Sequence, residues 1–365
     1  MIETSKVNTY SAKNVRESTA KVNLYNNSVL EEVTILYNLS TIFPVNKLTT
    51  TRRRTVRRPR IAHIATVYVQ KISQHIVAPL SLVTNSLSIA TFYRMRHTMQ
   101  KEAVIVFVAI SVVDTFALTD QFDYIIRINA FRSSIIQRFP AACKLFTWIT
   151  GTAQMCSAYL VFLYTFERFI LVRFPLKRAI ICSGRRIRIA VAAIFVICPA
   201  METYRLVTYW SNGYVCGVWP GWKFTNNRLH IIIHFCIGII LPYICTGCLN
   251  IIIVYHMIKY SREAASQTNS ASSEDTTEKS ITIMLFLAST YSLIIMTPWV
   301  VDLAIDPFEN TRSYHVYLLG IWARQIIGPW NYCGNFFFYV IGGKLFRREL
   351  IRTLSCQQMT GEFVS

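Results

Sequence analysis

The sequence predicts an all-α membrane protein, a seven-transmembrane helix bundle with a short amphipathic eighth helix. Three observations predict it. Of 365 residues, 53% are hydrophobic and 16% charged, well below the charged share of about a quarter in soluble domains. The apolar residues form seven blocks, near 68–93, 103–128, 140–172, 187–207, 229–258, 281–305 and 314–341. Each approaches or exceeds the roughly 20 helical residues that cross a bilayer core of about 30 Å. They are too long and too continuously apolar for barrel strands, and only helices or closed barrels satisfy a backbone in lipid.

Taken in order, residues 1–62 read as an extracellular, glycosylated, disordered tail. They are polar and carry two sequons, Asn26-Asn27-Ser28 and Asn38-Leu39-Ser40, which mark a surface segment of a secreted or extracellular chain. The first twenty residues lack the apolar core of a signal peptide, so the first membrane segment is expected to direct insertion. Residues 63–342 form the bundle. Residues 343–365 form the amphipathic helix and a short cytoplasmic tail: Leu345, Phe346, Leu350 and Leu354 share one face, with Arg347, Arg348 and Arg352 on another. Such a helix lies on a membrane surface, and Cys356 behind it is placed for palmitoylation.

The formal net charge is +19. In a soluble protein this balance points to nucleic acid. Here the basic residues lie between apolar blocks, where an anionic leaflet attracts them, and no nucleic-acid partner is expected. Orientation is not decided by charge. Arg52, Arg53, Arg54, Arg57, Arg58 and Arg60 precede the first block and nearly cancel the bias that places Lys and Arg in the cytoplasm. That run reads as a solvated basic tail or, alternatively, a basic-protease site after Arg57. The sequons favour an external N-terminus. No His cluster, nucleophile elbow, phosphate loop or paired metal-ligand spacing is present, so no enzyme, cofactor or structural metal is expected.

Polar residues inside the apolar blocks carry the functional signal. Asp114 lies in the second block, and an intramembrane carboxylate is costly and a functional candidate by default. Asn85, Ser157, Asn331 and Asn335 lie in the first, third and seventh blocks; the last two are one turn apart. Converging on Asp114, they could hold Na⁺ or a proton, or simply hydrogen-bond across helices. Glu167 and Arg168 end the third block. Arg168 could pair with Glu167 or Glu278 while the bundle is closed, or simply snorkel.

In this arrangement the chain resembles the rhodopsin-like (class A) G-protein-coupled receptors, most of all invertebrate neuropeptide receptors, over about 66–356. Ile110-Ser111-Val112-Val113-Asp114 resembles L-A-x-x-D, Glu167-Arg168-Phe169 resembles D/E-R-Y, and Asn335-Phe336-Phe337-Phe338-Tyr339 resembles N-P-x-x-Y. Pro175-Leu176, Pro242, Pro298 and Phe346 fall in the family's register. The resemblance implies a disulfide between Cys143 and Cys216, and a sodium site at Asp114, Ser157, Asn331 and Asn335. It also implies G-protein coupling and an ionic lock at Glu167, Arg168, Glu278 and Tyr339, and a plasma-membrane protein with its N-terminus outside. Met296 replaces the sixth-helix aromatic toggle and Phe336 the seventh-helix proline, which Pro329 precedes by two turns; the kink is expected to move there. Thr150 stands where amine receptors carry Asp, and Pro329 where opsins carry the retinal lysine.

These absences and an aromatic second outer loop (Trp210, Tyr214, Trp219, Trp222, Phe224) point to a peptide ligand, with a lipid or other small molecule as the alternative. The ligand-pocket candidates are Tyr124, Arg127, Thr150, Gln154, Trp299, Asp302, Asp306, Arg324 and Gln325. Asp302, Asp306 and Glu309 are the candidate partners of a basic ligand residue. The expected cytoplasmic partners are a heterotrimeric G protein and, through phosphorylation of Ser266, Thr268, Ser270, Ser272, Ser273, Thr276 and Thr277, an arrestin. A seven-helix transporter or channel is the rival of a different class.

Overall fold

The computed structural model describes residues 57–126, 135–213, 216–265, 273–305 and 314–355. The chain divides into two units, Met1–Arg60 and Ile61–Ser365; the second holds the helices considered below. Asn26, Asn38, Arg127, Asp306, Glu309, Cys356, Tyr214 and the loop residues Ser266–Ser272 lie outside the described residues, as do the side chains of Ser273, Thr276, Thr277 and Glu278.

Among the described residues, six helices are long and apolar enough to cross a membrane. They are Ile64–His97, Lys101–Ile126, Pro140–Arg173, Gly184–Thr208, Pro220–Lys259 and Thr282–Asp302, called here the first to sixth spans. A further helical run from Tyr314 to Gly342 follows. The second span packs on the third, the third on the fourth and fifth, and the sixth on this last run. The first helix begins at Arg57, inside the stretch expected to be tail. Pro59 does not prevent this, because the first helical turn needs no N–H from it.

Residues Ile244, Ile251, Leu319 and Val196 are large, apolar and exposed on the bundle surface. Outward apolar faces on long helices suit lipid contact, whereas a soluble protein of this size rarely exposes so much. The interior is apolar with polar residues set into it. Ser81, Ser88, Thr91, Asn85 and Asp114 are at most 3% exposed. The structure is thus a largely α-helical, multi-span membrane bundle.

Two irregular stretches have identifiable causes. His230–Ile240 and Trp322–Ile327 are wound in wider, i→i+5 turns. Each lies just ahead of a proline, Pro242 and Pro329. A proline ring collides with the carbonyl four residues back and supplies no N–H, and one wide turn accommodates both defects. Pro329 itself sits in a tight 3₁₀ turn, Gly328–Trp330, after which Asn331–Gly342 is regular α-helix around Phe336. The irregularity of the last run therefore falls at Pro329.

Between the fourth and fifth spans, β1 (Tyr209–Ser211) pairs antiparallel with β2 (Cys216–Val218), with Ser211 opposite Cys216. Gly213, at φ +91°, occupies the left-handed region in the connecting turn, where a side chain is strained. The final helix, Lys344–Leu354, buries Phe346 and Leu350 and exposes Ile351 and Leu354.

Candidate functional site: a carboxylate hub, an arginine end and a polar cavity

Asp114 is fully buried and joins three helices. Its Oδ1 accepts a hydrogen bond from Ser157 Oγ of the third span at 2.6 Å, and its Oδ2 accepts one from Asn335 Nδ2 of the last run at 3.0 Å. Charge-assisted bonds of this kind are short and strong, and in a lipid-surrounded core water offers no competing partner. Asn85 donates to Thr115 Oγ1 at 3.2 Å and to the Tyr332 carbonyl at 3.1 Å, tying the first span to the same layer. Asn331 does not bond Asp114. It lines a small cavity of about 50 Å³ with Ser157, and its Oδ1 has no hydrogen-bond partner.

The third span runs from this hub in two directions. At one end Cys143 is bonded to Cys216 of β2, with a Cα–Cα separation of 5.6 Å. At the other lie Glu167 and Arg168, 4% and 3% exposed. Arg168 Cζ stands 5.0 Å from the Tyr164 ring centroid. From Tyr164 an unbroken aromatic chain leads away: Phe107 at 4.7 Å, Phe92 stacked on Phe107 at 4.4 Å, Tyr339 5.3 Å and Phe346 5.0 Å from Phe92. Thus Arg168, Tyr339 and the final helix share one packed layer. Tyr339 is marked by its motif, whereas Phe92 and Phe107 belong to no motif and their sequence neighbourhoods do not reveal that they stack on each other.

Toward the disulfide end a second cavity of about 400 Å³ opens between the spans. It is lined by Tyr124, Gln154, Trp299, Arg324 and Gln325 among the expected ligand-pocket residues. Thr150 lines neither cavity. Asp302 is not open to a ligand: it is 7% exposed and ion-paired with Arg324 at 2.8 Å. Two expected pocket residues of opposite charge therefore hold each other. Gln154, Met296, Trp299 and Tyr332 line both cavities, so the position expected to carry an aromatic toggle borders each of them. Gln70, Gln74, Asp120 and Gln121 also line the large cavity. None was expected there, although Asp120 is a second carboxylate in the same apolar block as Asp114.

A second buried ionic group was also missed. Glu202 is fully buried and accepts from Arg205 Nε, while His234 Nδ1 lies 2.8 Å from its other oxygen. Tyr204 OH reaches His230 Nδ1 at 3.1 Å. These residues link the fourth and fifth spans near the disulfide end. Among the described residues no group of three or more His, Cys, Asp or Glu side chains is arranged to hold a metal ion.

No family model matches the chain. It is 23% identical over 225 residues to the blue-sensitive opsin of Gallus gallus, a match covering 60% of each chain. It is also 23% identical over 212 residues to the FMRFamide receptor of Drosophila melanogaster, covering 54% of this chain and 36% of that receptor. The chain therefore spans less than two thirds of the length of either relative. With six apolar spans around a buried carboxylate hub, these likenesses define the class: a helical membrane bundle distantly related to the G-protein-coupled receptors.

Proposed function

We propose that the protein is a class A G-protein-coupled receptor of the plasma membrane that responds to an extracellular peptide. The observation that carries this reading is the Asp114 hub. One buried carboxylate links the second, third and last helices midway between a polar cavity and Arg168. A ligand that favours one arrangement of these helices over another shifts the population at the far end. In this reading the run Tyr314–Gly342 is the seventh crossing, the disulfide end faces outward, and Lys344–Leu354 lies on the inner membrane surface.

The oxygens near the hub suit a hard monovalent cation. The Asp114 carboxylate, the Ser157 hydroxyl and the Asn331 and Asn335 side-chain oxygens are all hard donors, and Asn331 Oδ1 is buried without a partner. Sodium bound there would neutralise Asp114 and hold the closed arrangement. Arg168 then releases toward a G-protein α subunit when the sixth span, which carries Pro298, moves outward and leaves the Glu278 side unpaired.

A peptide is favoured by the mixed polar and aromatic lining of the 400 Å³ cavity, a volume within the range of small-molecule and peptide-anchor pockets. The name of the Drosophila relative agrees with it. The opsin likeness does not extend to bound retinal: no lysine lines either cavity among the described residues, so a Schiff base has no anchor.

The test is ligand-stimulated nucleotide exchange on purified G protein by the chain in lipid nanodiscs, after a neuropeptide-library screen. Arg168→Ala is expected to abolish exchange while leaving ligand affinity and surface expression within about twofold of the parent, because it removes an end-state contact rather than a pocket contact. Exchange that survives in Arg168→Ala, or ionic current without ligand, would count against the receptor reading.

A further inference from the structure

The large cavity is lined by one charge that has no ion pair among the described residues. Among the described residues, two charged side chains line it, Asp120 and Arg324. Arg324 is tied to Asp302 at 2.8 Å. Asp120 has no ion pair among the described residues and stands exposed at the cavity wall. Beside it, Gln74 and Gln121 are 5% and 6% exposed, and the side-chain oxygen of each is buried without a hydrogen-bond partner. Three acceptor side chains, one of them charged, therefore line the cavity, and two of their oxygens lack a partner. A carboxylate inside a membrane bundle is expensive unless something cationic or water meets it, and each orphaned amide oxygen leaves an acceptor unmet.

We propose that Asp120 is the counter-ion for a cationic, N–H-rich group of the ligand, a guanidinium or an ammonium, with Gln74 and Gln121 supplying further acceptor oxygens. This deepens the receptor reading and rests on it. A guanidinium carries five donors in a plane and an ammonium three, and either satisfies a carboxylate and two amide oxygens together. The guanidinium meets the carboxylate through two parallel bonds. Tyr124 and Trp299, which also line the cavity, offer faces for an aromatic neighbour of the cation. The third span carries the uncharged Thr150, and Asp302 of the sixth is already occupied, so the cation subsite sits on the second span.

The experiment uses the full chain in lipid nanodiscs without G protein. Three dipeptide amides are titrated, Arg-Phe, Lys-Phe and citrulline-Phe, with the thermal midpoint as readout. Citrulline keeps the shape of arginine and loses its charge. The Arg and Lys probes are expected to bind the parent protein, and the citrulline probe about tenfold or more weaker. Asp120→Asn should bring the Arg probe down to the citrulline level, while Asp120→Glu keeps the preference for charge and Gln121→Leu weakens the Arg probe by a smaller factor. If Asp120→Asn does not fold, as its unliganded midpoint will tell, the other two variants carry the comparison. An Arg-over-citrulline preference that persists in Asp120→Asn overturns the proposal, as does equal binding of all three probes or binding of none. Charge-selective binding of these probes, together with no nucleotide exchange for any library peptide in the separate G-protein assay, would instead sink the receptor reading and leave the site standing.

Discussion

Glu202 and Arg205 are one helical turn apart and both almost inaccessible to solvent, with His234 completing the group from the fifth span. Space for them comes from Gly151: a Cβ there would lie 2.6 Å from Arg205 Nε. Deleting one member of such a pair leaves the other charge buried and alone, at about 3–5 kcal/mol, whereas replacing both with apolar residues of similar volume is often neutral. Glu202→Ala is therefore expected to lower the thermal midpoint of the detergent-purified protein markedly. The double variant Glu202→Met with Arg205→Met should recover most of that loss. A double variant as unstable as the single one would show that the charge pair is not the source of the effect. The group was invisible in the sequence because its members are 32 positions apart in Glu202–His234 and the segment around Glu202 reads as a span end. Asp114 was legible for the opposite reason, since it is the one charged residue of the stretch 103–119 and a motif surrounds it. Asp120 obeys the same rule of intramembrane charge, and applying that rule to every acid in the block would have found it.

At the level of elements, the sixth span and the last run approach through glycines. A Cβ on Gly342 would lie 2.6 Å from Met284 Cα, a backbone atom that cannot rotate away. A Cβ on Gly334 would meet the Tyr291 ring, whose hydroxyl donates to the Trp330 carbonyl at 2.9 Å. Small residues at such contacts let helix backbones come together where lipid supplies no hydrophobic drive. Gly342→Ala is thus expected to destabilise by about 1–3 kcal/mol, as overpacked interiors do. Gly221→Ala, whose nearest foreign atom is 3.4 Å away, should lie within about 0.5 kcal/mol of the parent, as surface changes do. Equal midpoints for the two variants would mean that the helices can part without loss. Span positions were readable from apolar length, and Pro329 marked where the last run was expected to depart from regular winding. Which faces of the helices meet was not readable. In spans that are apolar all round, periodicity does not distinguish a lipid-facing residue from a buried one, and Ile251 exposed beside buried Ile253 illustrates it.

For the whole molecule, direction in the membrane is the property that composition left most open. The six arginines between Arg52 and Arg60 precede the first span and oppose the rule that puts basic residues on the cytoplasmic side. The disulfide argues the other way. Cys143 and Cys216 are joined at the end of the bundle that the first helix enters from its N-terminal side. A disulfide of this kind persists in an oxidising compartment and is reduced in the cytosol. If that end is extracellular, Asn26 and Asn38 are on the side where glycans are added. Endoglycosidase treatment of the protein expressed in insect or mammalian cells should then reduce its apparent mass, and Asn26→Gln and Asn38→Gln should each remove one step of that shift. A membrane-impermeant thiol reagent should also label the surface protein after reduction at Cys143 and Cys216, with the Cys143→Ser, Cys216→Ser variant showing less labelling. Absence of both glycan and label, with an epitope at the N-terminus reached only in permeabilised cells, would invert the bundle, turn Arg168 outward and remove the basis for G-protein coupling altogether.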